Sequence, residues 1–252
     1  MFSTEMREGI AIQTDIEELT KIYTDDRRTH TDNQPWVMLN MIASSNGLAT
    51  LDGLSGKLGG KEDRALFRTL RGVSDFILVG LNTVHEEKYN PPELPEAVKS
   101  LREETGRDRI PRIAVVSNSL EIDPNIPLFA SDRYSPVLIT SKSSPASKRK
   151  LLSEKYEIIL AGEQRVDFKT AINKLASGNK QTVLVEGGPS INKQFVSEDL
   201  FDELCITISP FYSDDENDEK VTTDKSYPKG YMKEVRRISV NDFIFCRYLR
   251  SR

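Results

Sequence analysis

Cysteine and histidine are scarce in this chain. Its 252 residues hold two of each: Cys205, Cys246, His30 and His85. No CxxC, HxxxH or HxE spacing exists, which argues against a zinc or redox-dithiol site. A Ser-His-Asp or Cys-His hydrolase is poorly supplied for the same reason. Both cysteines sit in apolar, strand-like stretches and are expected as free buried thiols, since a disulfide would require those strands to pair. No apolar run approaches the ~18 residues of a membrane span. The opening MFSTEMREGI lacks the basic start and apolar core of a signal peptide, so a cytoplasmic protein is expected. The net charge is −4, which gives no footing for nucleic acid or anionic lipid. No internal repeat is visible. Chemistry must therefore come from a bound cofactor, or from carboxylates and lysines.

What is present is a soluble, globular composition, 37% hydrophobic and 29% charged. Asp15 can cap a first helix, with Glu18 completing a capping box and Ile16, Leu19, Ile22 and Tyr23 forming a stripe. Asp25 to Gln34 reads as a charged linker. Pro35 opens the buried strand PWVMLNMIAS, Ser45-Asn46-Gly47 turns the chain, and a glycine-rich loop follows from Asp52 to Gly60.

Helices are then expected over Lys61–Arg71, Glu93–Thr105, Pro145–Lys155, Phe168–Ser177 and Ser190–Ser197. Between them lie the strands DFILVG, RIAVVS, SPVLIT, YEIILAG and TVLVEGG, with LNTVHEE read as a loop that opens a helix. The last quarter reads as the strand FDELCITISP, an acidic loop DDENDE, and two strands joined by Asn241-Asp242 as a hairpin. Strands alternating with helices imply a parallel sheet, and the hairpin implies an antiparallel edge. One α/β domain over residues 35–252 is expected, with residues 1–34 a helical extension and linker. Trp36, Phe76, Phe243 and Phe245 are expected in the core, and Lys148-Arg149-Lys150 on a solvated helix face.

The segment richest in chemistry is TVLVEGGPSINK, Thr182 to Lys193. Ligands of open α/β sheets sit at the carboxyl ends of strands. Here an apolar run ends in Glu186, and Gly187, Gly188, Pro189, Ser190 and Ile191 open a helix. Pro189 suits the first turn, Ser190 can help cap it, and the glycines permit positive φ and close approach. Helix N-terminal N–H groups favour an anion, so the turn reads as a phosphate cradle. Many strand-Gly-Gly-helix turns bind nothing. Glu186 weighs against that plain reading, because a carboxylate ending an apolar run requires a partner or a ligand. DFILVGLNT offers a second such edge, with Thr83 near a helix start. The loop GLSGKLGGK is not a P-loop, since Leu51 and Leu58 stand where that motif needs glycine and Ser/Thr. No GxGxxG fingerprint is present either.

Three segments together resemble one family. PWVMLNMIASSNGLAT, SGKLGGKEDRALFRTLRGVSDFILVGLNTV and VLVEGGPSINKQFVSEDLFDELCITISP are similar to the reductase domain of the riboflavin-pathway deaminase/reductase. The loop LDGLSGKLGG looks most like the stand-alone pyrimidine reductase proteins of actinobacteria. The resemblance implies a dihydrofolate-reductase-like, three-layer α/β/α fold with a mixed, mostly parallel sheet and a C-terminal antiparallel hairpin. It implies NADPH as cofactor, hydride transfer to the ribose C1 of a phosphoribosylamino-pyrimidine, and a homodimer, with Phe243, Phe245 and Tyr248 on strands able to supply its surface. It places Ala43, Lys57, Thr83, Glu87, Ser117 and Gly187 through Ile191 against the cofactor, and Ser55, Arg71 and Glu186 against the substrate. No metal and no nucleic acid are implied. Glu87 is a general-acid candidate by position only, and solvent can supply the proton. Two departures stand out. Asn46 replaces the aspartate of the family's Ser-x-Asp-Gly turn. HEEKYNPPEL replaces an Asp-Asp-Pro-x-Leu segment and the arginine after it, with Lys88 the cation at hand to compensate. The alternatives are a paralogous reductase of another small heterocycle, pterin- or folate-like, and a non-catalytic nucleotide-binding module.

Overall fold

The alternation read from the sequence is what the chain builds. The computed structural model describes residues 11–29, 34–176, 181–212, 214 and 232–250. A two-residue strand β1 (Ile12–Gln13) precedes helix α1 (Ile16–Asp25), whose first turn is closed by Asp15 accepting from the Glu18 N–H at 2.9 Å. Strand β2 (Trp36–Ala43), a 3-10 turn (Ser55–Lys57) and helix α2 (Lys61–Val73) follow. Then come β3 (Phe76–Gly80), α3 (Leu81–Glu86), α4 (Glu96–Glu104), β4 (Arg112–Val116) and α5 (Pro127–Ala130). Next are β5 (Val137–Thr140), α6 (Ala146–Leu152), β6 (Ile158–Leu160), α7 (Phe168–Leu175), β7 (Thr182–Gly187) and α8 (Pro189–Ser197). The chain closes with β8 (Glu203–Ile208), β9 (Met232–Val240) and β10 (Phe243–Arg250).

The differences from expectation have local causes. Helix α4 starts at Glu96 and not Glu93, because Pro95 is its N-cap and restricts Leu94 to extended backbone. Pro145 likewise caps α6 from outside it. LNTVHEE is helix from its first residue, with Gly80 as N-cap. The expected last helical residue Ser177, most of the DDENDE loop, and His30 lie outside the described residues.

The chain packs as two units. The parallel unit takes residues 27–39 and 70–201. Its strand order is β2-β7-β3-β4-β5-β6, and every neighbouring pair with a described register is parallel. Leu184 of β7 stands opposite Met38 on one side and Ile77 on the other, and Ile77 in turn opposite Ile113. These side chains are buried together with Val37, Leu39, Leu78, Ala114, Val183 and Val185, as expected for parallel strands covered on both faces. Asp75 fixes the entry to β7 by accepting from the Thr182 N–H at 2.7 Å.

The C-terminal unit takes residues 1–26, 40–69 and 202–252. Within it β8, β10 and β9 are antiparallel, and β1 lies parallel to β9 at the edge. The second half of β2 belongs here, with the Ser209 N–H donating to the Ala43 carbonyl at 2.8 Å. Asn241, at φ 51, turns the hairpin as expected. Cys205 faces Arg247 and Cys246 faces Ile206 across the β8–β10 pair, so the strands pair but the cysteines are out of register, and both are buried thiols outside any disulfide. Asn46 preserves its turn: its Oδ1 accepts from the Ser44 hydroxyl at 2.7 Å, and Gly47 takes φ 86.

Burial corrects one reading. Phe243 and Phe245 are core residues, so they cannot present a subunit surface, although their core placement itself was expected. Trp36 and Phe76 are only half-buried. A buried ion-pair group ties α1 to the hairpin. Asp26 accepts from Arg236 at 2.7 Å twice and from Arg247 at 3.1 Å, while Arg247 also donates to Glu203 at 2.8 and 3.1 Å. The Tyr23 ring lies 5.3 Å below the Arg236 guanidinium.

Candidate active site

The residues that carry the turn after β7 lie in the parallel unit. Val183, Leu184 and Val185 are fully buried, and the Glu186 side chain that follows them is only 2% exposed. Its partner comes from the last turn of α2. Arg71 grips the carboxylate with both edges of its fork, Nε to Oε1 at 2.7 Å and Nη2 to Oε2 at 2.8 Å. The Tyr89 hydroxyl donates to Oε2 at 2.8 Å, and the Arg71 guanidinium lies 5.3 Å from the Tyr89 ring centroid. A bidentate, charge-assisted pair of this kind is what makes a buried carboxylate tolerable.

The electrostatics follow from this closure. Burial alone would lower the Arg71 pKa, but the Glu186 carboxylate and Tyr89 outweigh it and hold the guanidinium above its ordinary value. Burial, reinforced by the Glu186 charge, raises Tyr89 well above the usual phenol range, so its hydroxyl remains a donor.

Beyond Glu186 the glycines do separate things. Gly187 takes φ 92, and a Cβ there would meet the Asn192 amide nitrogen at 2.9 Å. Gly188 is the N-cap of α8, and a Cβ on it would meet the Thr83 hydroxyl at 2.7 Å. The N–H groups of Ile191 and Asn192 both donate to the Gly188 carbonyl at 3.0 Å. Pro189 holds the first helical position as expected. Ser190 does not cap: it is the second helical residue, and the cap position is glycine with no side-chain bond. Asn192 Oδ1 is buried and accepts no hydrogen bond among the described residues.

These features fit a nucleotide pyrophosphate. A helix of nine residues begins at a glycine cap, its N-terminal dipole is positive, and a side chain at that glycine would be obstructed.

Of the residues singled out from sequence, the fold brings Thr83 against the Gly188 turn and Arg71 onto Glu186. Thr83 lies within α3, three residues past its Gly80 cap, so it does not cap that helix. Glu87 is the exposed C-cap of α3. Ser117 follows β4 and is buried, its hydroxyl accepting from the Leu120 N–H at 2.9 Å. Ala43, Ser55 and Lys57 belong to the C-terminal unit. There Ala43 ends β2, Ser55 is exposed on the 3-10 turn, and Lys57 pairs with Asp52 at 2.9 Å. Lys88 is exposed at φ 49. Tyr89 and Asn192 were not anticipated. The aromatic inside HEEKYNPP was the available signal for Tyr89, while Asn192 had none beyond its nearness to the glycines.

No cluster of His, Cys, Asp or Glu among the described residues can hold a metal ion. No described helix is long and apolar enough to cross a membrane.

Comparison with known proteins settles the family. The RibD C-terminal domain matches residues 35–238. The chain belongs to that family. A 2,5-diamino-6-ribosylamino-4(3H)-pyrimidinone 5′-phosphate reductase of Methanothermobacter thermautotrophicus is 29% identical over 178 residues, covering 70% of this chain and 78% of the relative. The reductase of the same name from Archaeoglobus fulgidus is 23% identical over 219 residues, covering 86% of this chain and all of the relative. Among solved structures, a pyrimidine reductase-like protein from Corynebacterium diphtheriae superposes with a TM-score of 0.78 at 29% identity, covering 95% of this chain and 100% of that one. The RibD reductase-type fold, mixed α/β with mostly parallel strands and a C-terminal antiparallel hairpin, is the one expected from the sequence.

Proposed function

We propose that this chain is an NADPH-dependent reductase of a phosphoribosylamino-pyrimidine, acting in riboflavin biosynthesis by hydride transfer to the ribose C1. The single observation that carries the reading is the Gly187-Gly188-Pro189 turn, which opens α8 against Thr83 one residue after the Arg71–Glu186 pair. The backbone from Gly187 through Ile191 would hold the pyrophosphate, with Thr83 beside it. Glu87, Ser117, Ala43 and Lys57 are the further cofactor contacts implied by the family resemblance. When bound, the nicotinamide supplies the hydride. The chain's own part is to orient the two reactants and to present fixed charge, which is where much of a hydride-transfer enzyme's contribution lies. Arg71 and Glu186, with Ser55, are the proposed substrate contacts. The reductase module is residues 35–252, with residues 1–34 an extension, and the protein is a cytoplasmic homodimer whose interface avoids Phe243 and Phe245. A monomer by light scattering at micromolar concentration would refute the dimer.

The test is NADPH oxidation by purified protein with the relatives' ribosylamino-pyrimidinone 5′-phosphate, after NADPH binding is established in the same sample. Turnover supports the reading, and binding without turnover removes the substrate. A second reading keeps the cofactor and changes the heterocycle. It is favoured by HEEKYNPPEL, where the inward side chain is Tyr89 and the family's following arginine is missing.

A further inference from the structure

The segment Tyr89-Asn90-Pro91-Pro92 departs from the family pattern, yet it places a hydroxyl on the most deeply buried carboxylate of the candidate site. Three donors converge on Glu186: Arg71 Nε and Nη2, and the Tyr89 hydroxyl. Within the ion pair the accessibility is uneven. The Glu186 side chain is 2% exposed and that of Arg71 15%. Of the two side chains, Arg71 is thus the one with more surface left for a ligand to meet. Glu186 and Tyr89 determine which way the planar fork points. Glu186 does so through two parallel bonds, and Tyr89 by bonding the carboxylate and stacking its ring 5.3 Å from the guanidinium.

We propose that Tyr89 is a positioning residue for the substrate: with Glu186 it holds Arg71 in one orientation, and Arg71 receives an acceptor oxygen of the substrate, a ring carbonyl or a phosphate oxygen. This rests on the reductase reading above and adds to it the residue that replaces the family's arginine segment. Asn90, Pro91 and Pro92 give the segment its restricted backbone, since residues before proline avoid the helical region and proline fixes φ. The tyrosine is therefore delivered from a stiff support. An orientation held before the substrate arrives affects how tightly substrate binds in ground and transition states alike, so it appears in KM and not in kcat.

The experiment is a double-mutant cycle with NADPH and the ribosylamino-pyrimidinone 5′-phosphate. Tyr89→Phe removes the hydroxyl and keeps the ring. It is expected to raise the substrate KM about tenfold, the scale of one hydrogen bond to a charged group, with kcat and NADPH affinity changed by less than about twofold. Glu186→Gln raises KM as well, and the pair Tyr89→Phe/Glu186→Gln is expected to be no worse than Glu186→Gln alone, because the hydroxyl acts through that carboxylate. If Glu186→Gln does not fold, Arg71→Lys replaces it in the cycle with the same expectation. A purely structural tyrosine would lower the melting temperature and the active fraction, leave KM unchanged, and add to the second substitution. Unchanged KM in Tyr89→Phe, or full additivity, overturns the proposal while wild-type turnover leaves the reductase reading standing. A wild-type protein that binds NADPH and does not reduce this substrate overturns both.

Discussion

The Thr83 hydroxyl occupies the space that a side chain on Gly188 would need: a Cβ built there lies 2.7 Å from it. A side chain at the cap of α8 would thus have to displace the Thr83 hydroxyl of α3. Gly188→Ala is expected to cost about 1–3 kcal/mol, the range for forced overpacking. Thr83→Ala in the same chain is expected to restore most of it, measured by thermal or urea denaturation. Without that recovery, the Thr83 hydroxyl is not the obstacle. Gly188→Asp is expected to abolish NADPH binding, but its loss of packing must be read beside the rescued pair.

Breaking the Arg71–Glu186 pair from one side should be far worse than removing both partners. Glu186→Ala removes the carboxylate that pairs with a largely buried guanidinium and is expected to cost about 3–5 kcal/mol. Arg71→Met with Glu186→Leu should be much milder in stability while abolishing turnover. Equal costs for the single and double variants would show that the pair is not a desolvated unit.

Alkaline titration offers an independent check on burial. Tyr23, Tyr89, Tyr134 and Tyr248 are all pushed above the ordinary value of 10.0, in each case chiefly by burial. Between pH 10 and their folded pKa values the native chain binds more protons than the unfolded chain. The stability they contribute is complete below about pH 10 and is lost as pH rises through the folded values. Tyrosinate absorbance of the native protein should therefore lag behind that of the denatured protein above pH 10. Superimposable curves would place these hydroxyls in water.

Asp26 should matter for folding and not for the site. Asp26→Ala leaves Arg236 and Arg247 without the carboxylate that bridges them, and is expected to cost about 3 kcal/mol. NADPH affinity should be unchanged at temperatures where the variant is folded. A weakened affinity there would give α1 a role that the buried pairs do not explain.

The strands and the Gly-Gly-Pro turn were legible because local pattern specifies them. Runs such as VLV and ILV are buried on both faces, and proline and glycine punctuate at the helix start. The capping of α1 by Asp15 was legible for the same reason. What escaped was long-range. Glu186 announced that it needed a partner, but Arg71 lies 115 positions away and Tyr89 97, in a proline-rich stretch without period. Ser190 offers help with capping in the sequence because Ser is a good capping residue, whereas the backbone makes Gly188 the cap. For Phe243 and Phe245 the sequence pattern allows both a core and a surface role, and only their 7% and zero exposure decides between them. The two-residue strand β1 carries too little pattern to be seen at all.

The discontinuous make-up of the C-terminal unit has a consequence for how the protein is made. Asp26 leaves the ribosome well before its partners Arg236 and Arg247, which follow 210 and 221 positions later. The parallel unit has all its strands by residue 201. During translation that unit can fold on the nascent chain while α1 waits, its buried face uncovered, for a hairpin that emerges later. Truncation or stalling before β9 should leave the protein with a formed parallel sheet and an unprotected amphipathic α1, the kind of surface that chaperones and proteases find.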